Sequence, residues 1–374
     1  MPGHSELAAQ IRARVAAVVR PEVRALKAYP VAPSAGLIKL DAMENPYPWP
    51  AQMRRQWQNL LRGVEPNRYP DPAARRVRSG LYEVLGIPTH LDLLLGNGSD
   101  ELIQLLILSL AGPGRTVLAP QPSFVMYRLL TEAIGARFVG VPLRADDFSL
   151  DVEAMLEAIE RHQPALVFLA CPNNPTGNLF ARHEVLQILA RAPGVVVVDE
   201  AYEPFARHSL LEELDRHANL LVLRTLSKLG LAGLRLGYLV AAKAWIAELE
   251  KLRLPYNINV LTQVTVEFAL QHYATLEEQC SRILRDREDL YRKLCQLNSL
   301  RVWPSEANFL LCRVLGGDAP GLAGDLRRQG ILIKLLHGSE PLLDQCIRIS
   351  VGTPDENQQL LNALGYNRPI PEYP

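Results

Sequence analysis

The chain has 374 residues, 48% of them hydrophobic, and its 40 basic and 40 acidic side chains cancel to a formal charge of zero. That is enough apolar material for a large core and, by length, for about two domains. The cancelled charge gives no global field to draw nucleic acid or an anionic membrane, so small molecules are the expected partners.

The first twenty residues, "MPGHSELAAQIRARVAAVVR", interrupt their apolar run with arginines and offer no small-residue cleavage site. They predict an amphipathic helix and not a signal peptide. No window reaches the roughly 18 to 20 uninterrupted apolar residues that span a bilayer. Residues 21–50 are rich in proline and poor in periodicity, which predicts an extended arm over the body of the protein. From there to about residue 255 the sequence alternates. The runs "LDLLLG", "TVLAP", "RFVGVPL", "ALVFLA", "VVVVDEAY" and "LLVLRTLS" are of strand length and too continuous for a surface strand. Between them lie helical patterns: "SDELIQLLILSLAG", "SLDVEAMLEAIERH" capped by Ser149 or Asp151, and "ARHEVLQILARA" stopped by Pro193-Gly194. This is the pattern of an α/β domain, a mostly parallel sheet sandwiched by helices. After residue 255 long helices and a few strands ("NFLLCRV", "CIRISVG") predict a smaller α+β domain. The expected division is therefore 1–50, 51–255 and 256–374.

In open α/β sheets function gathers at the carboxyl ends of strands. After "LDLLL" comes "GNGSDE", where Gly98 and Ser99 open a helix whose free N–H groups suit an anion. After "ALVFLA" comes "CPNNPTG", with Asn173 and Asn174 at the sheet edge; after "VVVV" come Asp199 and Tyr202. After "LLVLR" come Thr225, Ser227 and Lys228, with Arg235 seven residues on. Each has an ordinary explanation alone: a glycine turn with a serine cap, a polar turn, a helix-capping aspartate, a lysine reaching for solvent. Together they supply a phosphate cradle, an acid for a ring nitrogen, donors for a phenolic oxygen and an amine for an aldehyde, the groups that pyridoxal phosphate needs. The five cysteines (171, 280, 295, 312, 346) form no CxxC pair and the eight histidines show no ligand spacing, so no disulfide framework and no metal site is expected. Scattered cysteines fit a reducing, cytoplasmic setting.

In that order, and with "NRYPDP" before them and "IRISVGTPDEN" after them, these motifs resemble the fold-type-I pyridoxal-phosphate aminotransferases over nearly the whole chain. "DAMENPYP", "NRYPDP", "PSFVMY" and "RISVGTPDEN" are most similar to the histidinol-phosphate aminotransferase family, which exchanges an amino group between L-histidinol phosphate and 2-oxoglutarate in histidine biosynthesis. The resemblance implies pyridoxal 5'-phosphate as cofactor and Lys228 as the lysine that binds it and then moves the proton. It implies Asp199 on the ring nitrogen, Asn174 and Tyr202 on the phenolic oxygen, and Phe124 stacked on the ring. The phosphate falls to Gly98, Ser99, Asp100, Thr225, Ser227 and Arg235. Tyr69 would reach the phosphate of the neighbouring subunit, which implies a homodimer. Arg348, with Lys334, Asn45 and Tyr29, would read the substrate.

Two positions depart from the family pattern: Lys334 stands where a second arginine is usual, and Met43 where an asparagine opens the arm motif. A lysine is a point charge and not a bidentate fork, so the substrate grip is expected to differ. An aromatic amino-acid aminotransferase and a threonine-phosphate decarboxylase on the same scaffold are the alternatives. A non-catalytic regulator would need a basic DNA-binding module for which 374 neutral residues leave no room.

Overall fold

A computed structural model describes residues 2–206 and 208–366, with side chains from residue 6 onward. The eight C-terminal residues of the expected small domain, and the His4 side chain, lie outside what is described. Among the described residues twelve strands form two sheets. The larger contains β2 (Leu91–Gly96), β3 (Thr116–Gln121), β4 (Arg137–Pro142), β5 (Leu166–Ala170), β6 (Val195–Asp199), β7 (Leu220–Thr225) and β8 (Gly237–Ala242), in the order β2-β8-β7-β6-β5-β3-β4. The smaller contains β1 (Ile38–Leu40), β9 (Leu300–Val302), β10 (Phe309–Val314), β11 (Ile331–Leu335) and β12 (Cys346–Ser350), in the order β1-β11-β12-β10-β9.

The six apolar runs are β2 to β7, and their continuity has a packing cause. Side chains alternate between faces along a strand, and here both faces are covered. Leu93, Leu95, Val167, Leu169, Val196, Val198 and Val222 enter one core, while Leu94, Leu166, Phe168, Val195, Val197, Leu221 and Leu223 enter a second on the opposite face. Each such side chain contributes about 1.5–3 kcal/mol by leaving water. The cap of helix Val152–His162 is Asp151, whose side chain accepts from the Ala154 N–H.

β8 is the strand the run-by-run reading did not single out, and it matters most. It is antiparallel to both β2 and β7. β2 therefore runs parallel to β7, and the carboxyl ends of β2, β5, β6 and β7 share one edge with the start of β8. Two contacts cut across the expected boundaries. The arm contributes β1, which pairs parallel with β11 of the smaller sheet. Helix Val260–Gln271 packs on helices Ala51–Leu61 and Arg75–Leu85, so it sits with the larger sheet although it follows residue 255.

Candidate active site

At the shared edge the chain turns from β2 into helix Ser99–Leu110 through Gly98, whose φ of +86° falls in the region that favours glycine. A Cβ on Gly98 would lie 2.5 Å from the Arg235 guanidinium, and one on Gly237 would lie 2.5 Å from the Ser99 nitrogen. Both glycines thus let the helix start sit against β8 and Arg235. Arg235 donates to Asp100 Oδ2 at 3.0 Å and to Ser227 Oγ at 3.4 Å. Thr225 Oγ1 lies 3.0 Å from Ser227 Oγ and accepts from the Ser227 N–H at 3.2 Å. Two hydroxyls, a guanidinium and the first N–H groups of a helix therefore converge, a donor set suited to a phosphate.

Asp199 ends β6 inside the protein. Its Oδ2 accepts from the Tyr127 hydroxyl at 2.7 Å and its Oδ1 from the Ala201 N–H at 3.1 Å. Burial pushes the carboxyl up to about 6, against the opposing pull of those two donors. Tyr127 is a site residue that sequence reading passed over. It lies three residues after Phe124, one helical turn on, and the two rings meet edge to face at 5.6 Å. A buried Arg224–Glu200 ion pair at 2.8 Å, also unforeseen, ties β7 to the residue after Asp199, and Ser209 Oγ accepts from the same guanidinium at 2.7 Å.

Asn173 and Asn174 have separate work. Asn173 is fully buried and staples the turn, donating to the Pro122 carbonyl at 2.9 Å and accepting from Ser123 at 2.8 Å. Asn174 Oδ1 faces the site and accepts from Arg348 at 2.5 Å. Tyr202 is buried, packs edge to face on Phe309 and donates to Met43 Sδ at 3.4 Å. Cys171, beside this turn, is buried with its thiol pushed up to about 12 by burial, which makes it inert packing.

Lys228 donates to the Ala42 carbonyl at 3.4 Å, and among the described residues it has no ion pair with a carboxylate. Burial, reinforced by the nearby Arg348 charge, lowers its ammonium to about 8. A free amine is needed to attack an aldehyde. Below pH 8 the protonated form dominates, so the rate at which cofactor-free protein takes up pyridoxal phosphate should rise with pH through a midpoint near 8. A midpoint near 10.5, measured by stopped-flow absorbance, would mean that Lys228 behaves as an ordinary surface lysine.

These residues border a cavity of about 110 Å³ lined by Ser99, Phe124, Asn174, Asp199, Tyr202 and Lys228 among others. A larger cavity of about 380 Å³ adjoins it, sharing Met43, Phe124 and Asn174 and reaching Tyr29, Lys334 and Arg348. Lys334 and Arg348 stand directly opposite each other on β11 and β12. Like charges so placed repel, and they become favourable when an anion lies between them. Arg348 is 6% exposed and its Nε has no hydrogen-bond partner among the described residues. Lys334 Nζ lies 4.9 Å from the centre of the Tyr29 ring.

Asn45 and Tyr69 lie outside both cavities, and Tyr69 is expected at the neighbouring subunit's site and not at its own. Asn45 lines neither cavity; its amide donates to Gln279 at 3.0 Å and to the Leu229 carbonyl at 3.4 Å, so it braces the Lys228 turn. Tyr69 is 81% exposed, stacked on Tyr256 at 4.4 Å, and lines neither cavity of its own chain. Among the described residues no cluster of His, Cys, Asp and Glu could hold a metal ion, and no helix is long and apolar enough to cross a membrane.

Comparison with known proteins gives consistent results. Residues 35–364 match the family "Aminotransferase class I and II". The chain is 52% identical to histidinol-phosphate aminotransferase 2 of Nitrosococcus oceani, over 95% of this chain and 98% of that one. It is 51% identical to histidinol-phosphate aminotransferase of Chromobacterium violaceum, over 93% and 97%. Among solved structures, histidinol-phosphate aminotransferase from Sinorhizobium meliloti in complex with pyridoxal-5'-phosphate superposes with a TM-score of 0.83 at 25% identity, covering 93% of this chain and 96% of that one. An L-threonine-O-3-phosphate decarboxylase from Porphyromonas gingivalis shares the fold at 24% identity and TM-score 0.74, covering 88% and 98%, which is likeness of fold alone.

Proposed function

Because this chain belongs to the class I and II aminotransferases, and among them to the histidinol-phosphate aminotransferase family, we propose that it exchanges an amino group between L-histidinol phosphate and 2-oxoglutarate. The products are imidazole acetol phosphate and L-glutamate, the exchange is reversible, and it serves L-histidine biosynthesis. Neither an aromatic amino-acid aminotransferase nor a decarboxylase is favoured by relatives of about half-identical sequence.

The residues present fit pyridoxal 5'-phosphate. Ser99, Asp100, Thr225, Ser227 and Arg235, with the Gly98 turn, would hold its phosphate; Asp199 would meet its ring nitrogen, Asn174 and Tyr202 its phenolic oxygen, and Phe124 its face. When bound, the cofactor supplies an electrophilic carbon and a sink for the electrons left when the substrate carbon loses its proton. The chain supplies the rest. Asp199, held by Tyr127, keeps a negative charge or a shared proton at one fixed point. Lys228, with its ammonium near 8, can give up and take back a proton at working pH.

The observation that carries the substrate reading is the facing pair Lys334 and Arg348, on the wall of a cavity that adjoins the Lys228 amine. Two cations can hold the phosphate of histidinol phosphate, and the same pair can take a carboxylate of 2-oxoglutarate. Arg348→Met should lower kcat/KM for histidinol phosphate by roughly 10²- to 10³-fold, mainly through KM, because a buried charged contact is lost. Cofactor absorbance should be retained. Unchanged KM in this variant would remove the anion-anchor role. We place the enzyme in the cytoplasm as a homodimer in which Tyr69, exposed on its own chain, reaches the cofactor phosphate of the partner.

A further inference from the structure

The end of the arm is seated by the site itself. The Asp41 carbonyl accepts from Arg348 at 2.8 Å, the Ala42 carbonyl from Lys228 at 3.4 Å, and the Met43 carbonyl from the buried Asn308 amide at 2.9 Å. The Met43 N–H donates to Ser350 Oγ at 2.8 Å. Met43 itself has φ of +54°, a left-handed conformation that an unbranched apolar side chain seldom takes and that asparagine tolerates far better. The seat thus holds a strained methionine that borders both cavities, with its thioether accepting the Tyr202 hydroxyl. Phe124 borders both cavities as well. Phe124 and Met43 therefore wall the passage between the amine and the anion site.

Resting on the aminotransferase reading above, we propose that Met43 is a specificity-determining residue. Its thioether is the surface on which the substrate's flat ring packs, so the site prefers an amine bearing both a ring and an anionic group over one bearing the anionic group alone. Sulfur against an aromatic ring is a favourable, orientable contact, and a thioether offers no hydrogen-bond donor that would retain water at the wall.

The test compares L-histidinol phosphate with 2-aminopropyl phosphate, which keeps the amine and phosphate and replaces the ring-bearing arm with a methyl group. Met43→Asn suits the backbone conformation and makes the wall polar; Met43→Leu keeps it apolar. The ratio of kcat/KM values, ringed over ringless, should fall about fivefold to tenfold in M43N and stay within about threefold of the parent in M43L. A ratio unchanged in M43N, or one that falls as far in M43L, would overturn the proposal, since a general loss of folding or cofactor lowers both donors together. If the parent protein uses neither phosphate, the substrate reading fails, and the same ratio is taken with phenylalanine over alanine. There a fall in M43N alone supports Met43 and an unchanged ratio overturns it. No turnover with any of the four donors overturns both.

Discussion

Lys228→Ala is expected to abolish transamination, by ~10⁴-fold or more, because the substitution removes the amine proposed as both nucleophile and proton carrier. The protein should still fold. Among the described residues the Lys228 amine makes a single hydrogen bond, of 3.4 Å, and replacing a buried amine of lowered basicity relieves a desolvation cost. The stability effect has a defined sign. A lysine held near 8 in the folded state and near 10.5 when unfolded weakens the fold at neutral pH, and the penalty fades as pH rises from 8 to 10.5. K228A should therefore be the more stable protein at pH 7, with the gap closing above pH 10. Thermal unfolding of the cofactor-free proteins at both pH values reads this, and turnover within tenfold of the parent would sink the assignment of Lys228.

Asp199→Asn carries the second large effect. The carboxylate is the acidic group fixed at the end of β6, and losing a preorganised charge at a reacting centre costs about 10²- to 10³-fold in kcat. The same change should stabilise the cofactor-free protein. Asp199 is raised to about 6 from an ordinary value of 3.8, so the folded state holds its proton more tightly than the unfolded chain does. Stability is accordingly lost as pH rises from about 4 to about 6, by roughly 2–3 kcal/mol, and is not recovered above that. D199N lacks this loss. Its melting temperature without cofactor should exceed that of the parent at pH 8 and converge with it near pH 4; a lower value at pH 8 would show that Asp199 has a partner cation in the free protein.

The parts of this site that could be read from sequence are those written as contiguous strings. A run of four valines ending in Asp199, or leucines ending in Thr225, Ser227 and Lys228, says both that a strand is buried and where its polar end must emerge. What could not be read depends on contacts across the sheet. β8 is as apolar as its neighbours, but nothing local states that it runs backwards and so delivers Arg235 to the edge where β7 ends. Tyr127 stood within a quoted motif, and only the geometry of the helix start aims its hydroxyl at Asp199. Asn45 shows the converse. A polar residue on the arm suggested a substrate contact, and the fold spends it on Gln279 and the Leu229 carbonyl. Met43 read as a missing amide; in the structure it is a thioether held against Tyr202.

Lys228, Asp199 and the Lys334–Arg348 pair are proposed to form one site for a phosphate-bearing amine. The most direct measurement is a half-reaction without an oxo acid, in which protein carrying its cofactor is mixed with L-histidinol phosphate and, in parallel, with phenylalanine, and the cofactor absorbance is followed. A stoichiometric spectral change is expected, saturating at much lower histidinol phosphate than phenylalanine. Preference for phenylalanine, or no change with histidinol phosphate, would contradict it.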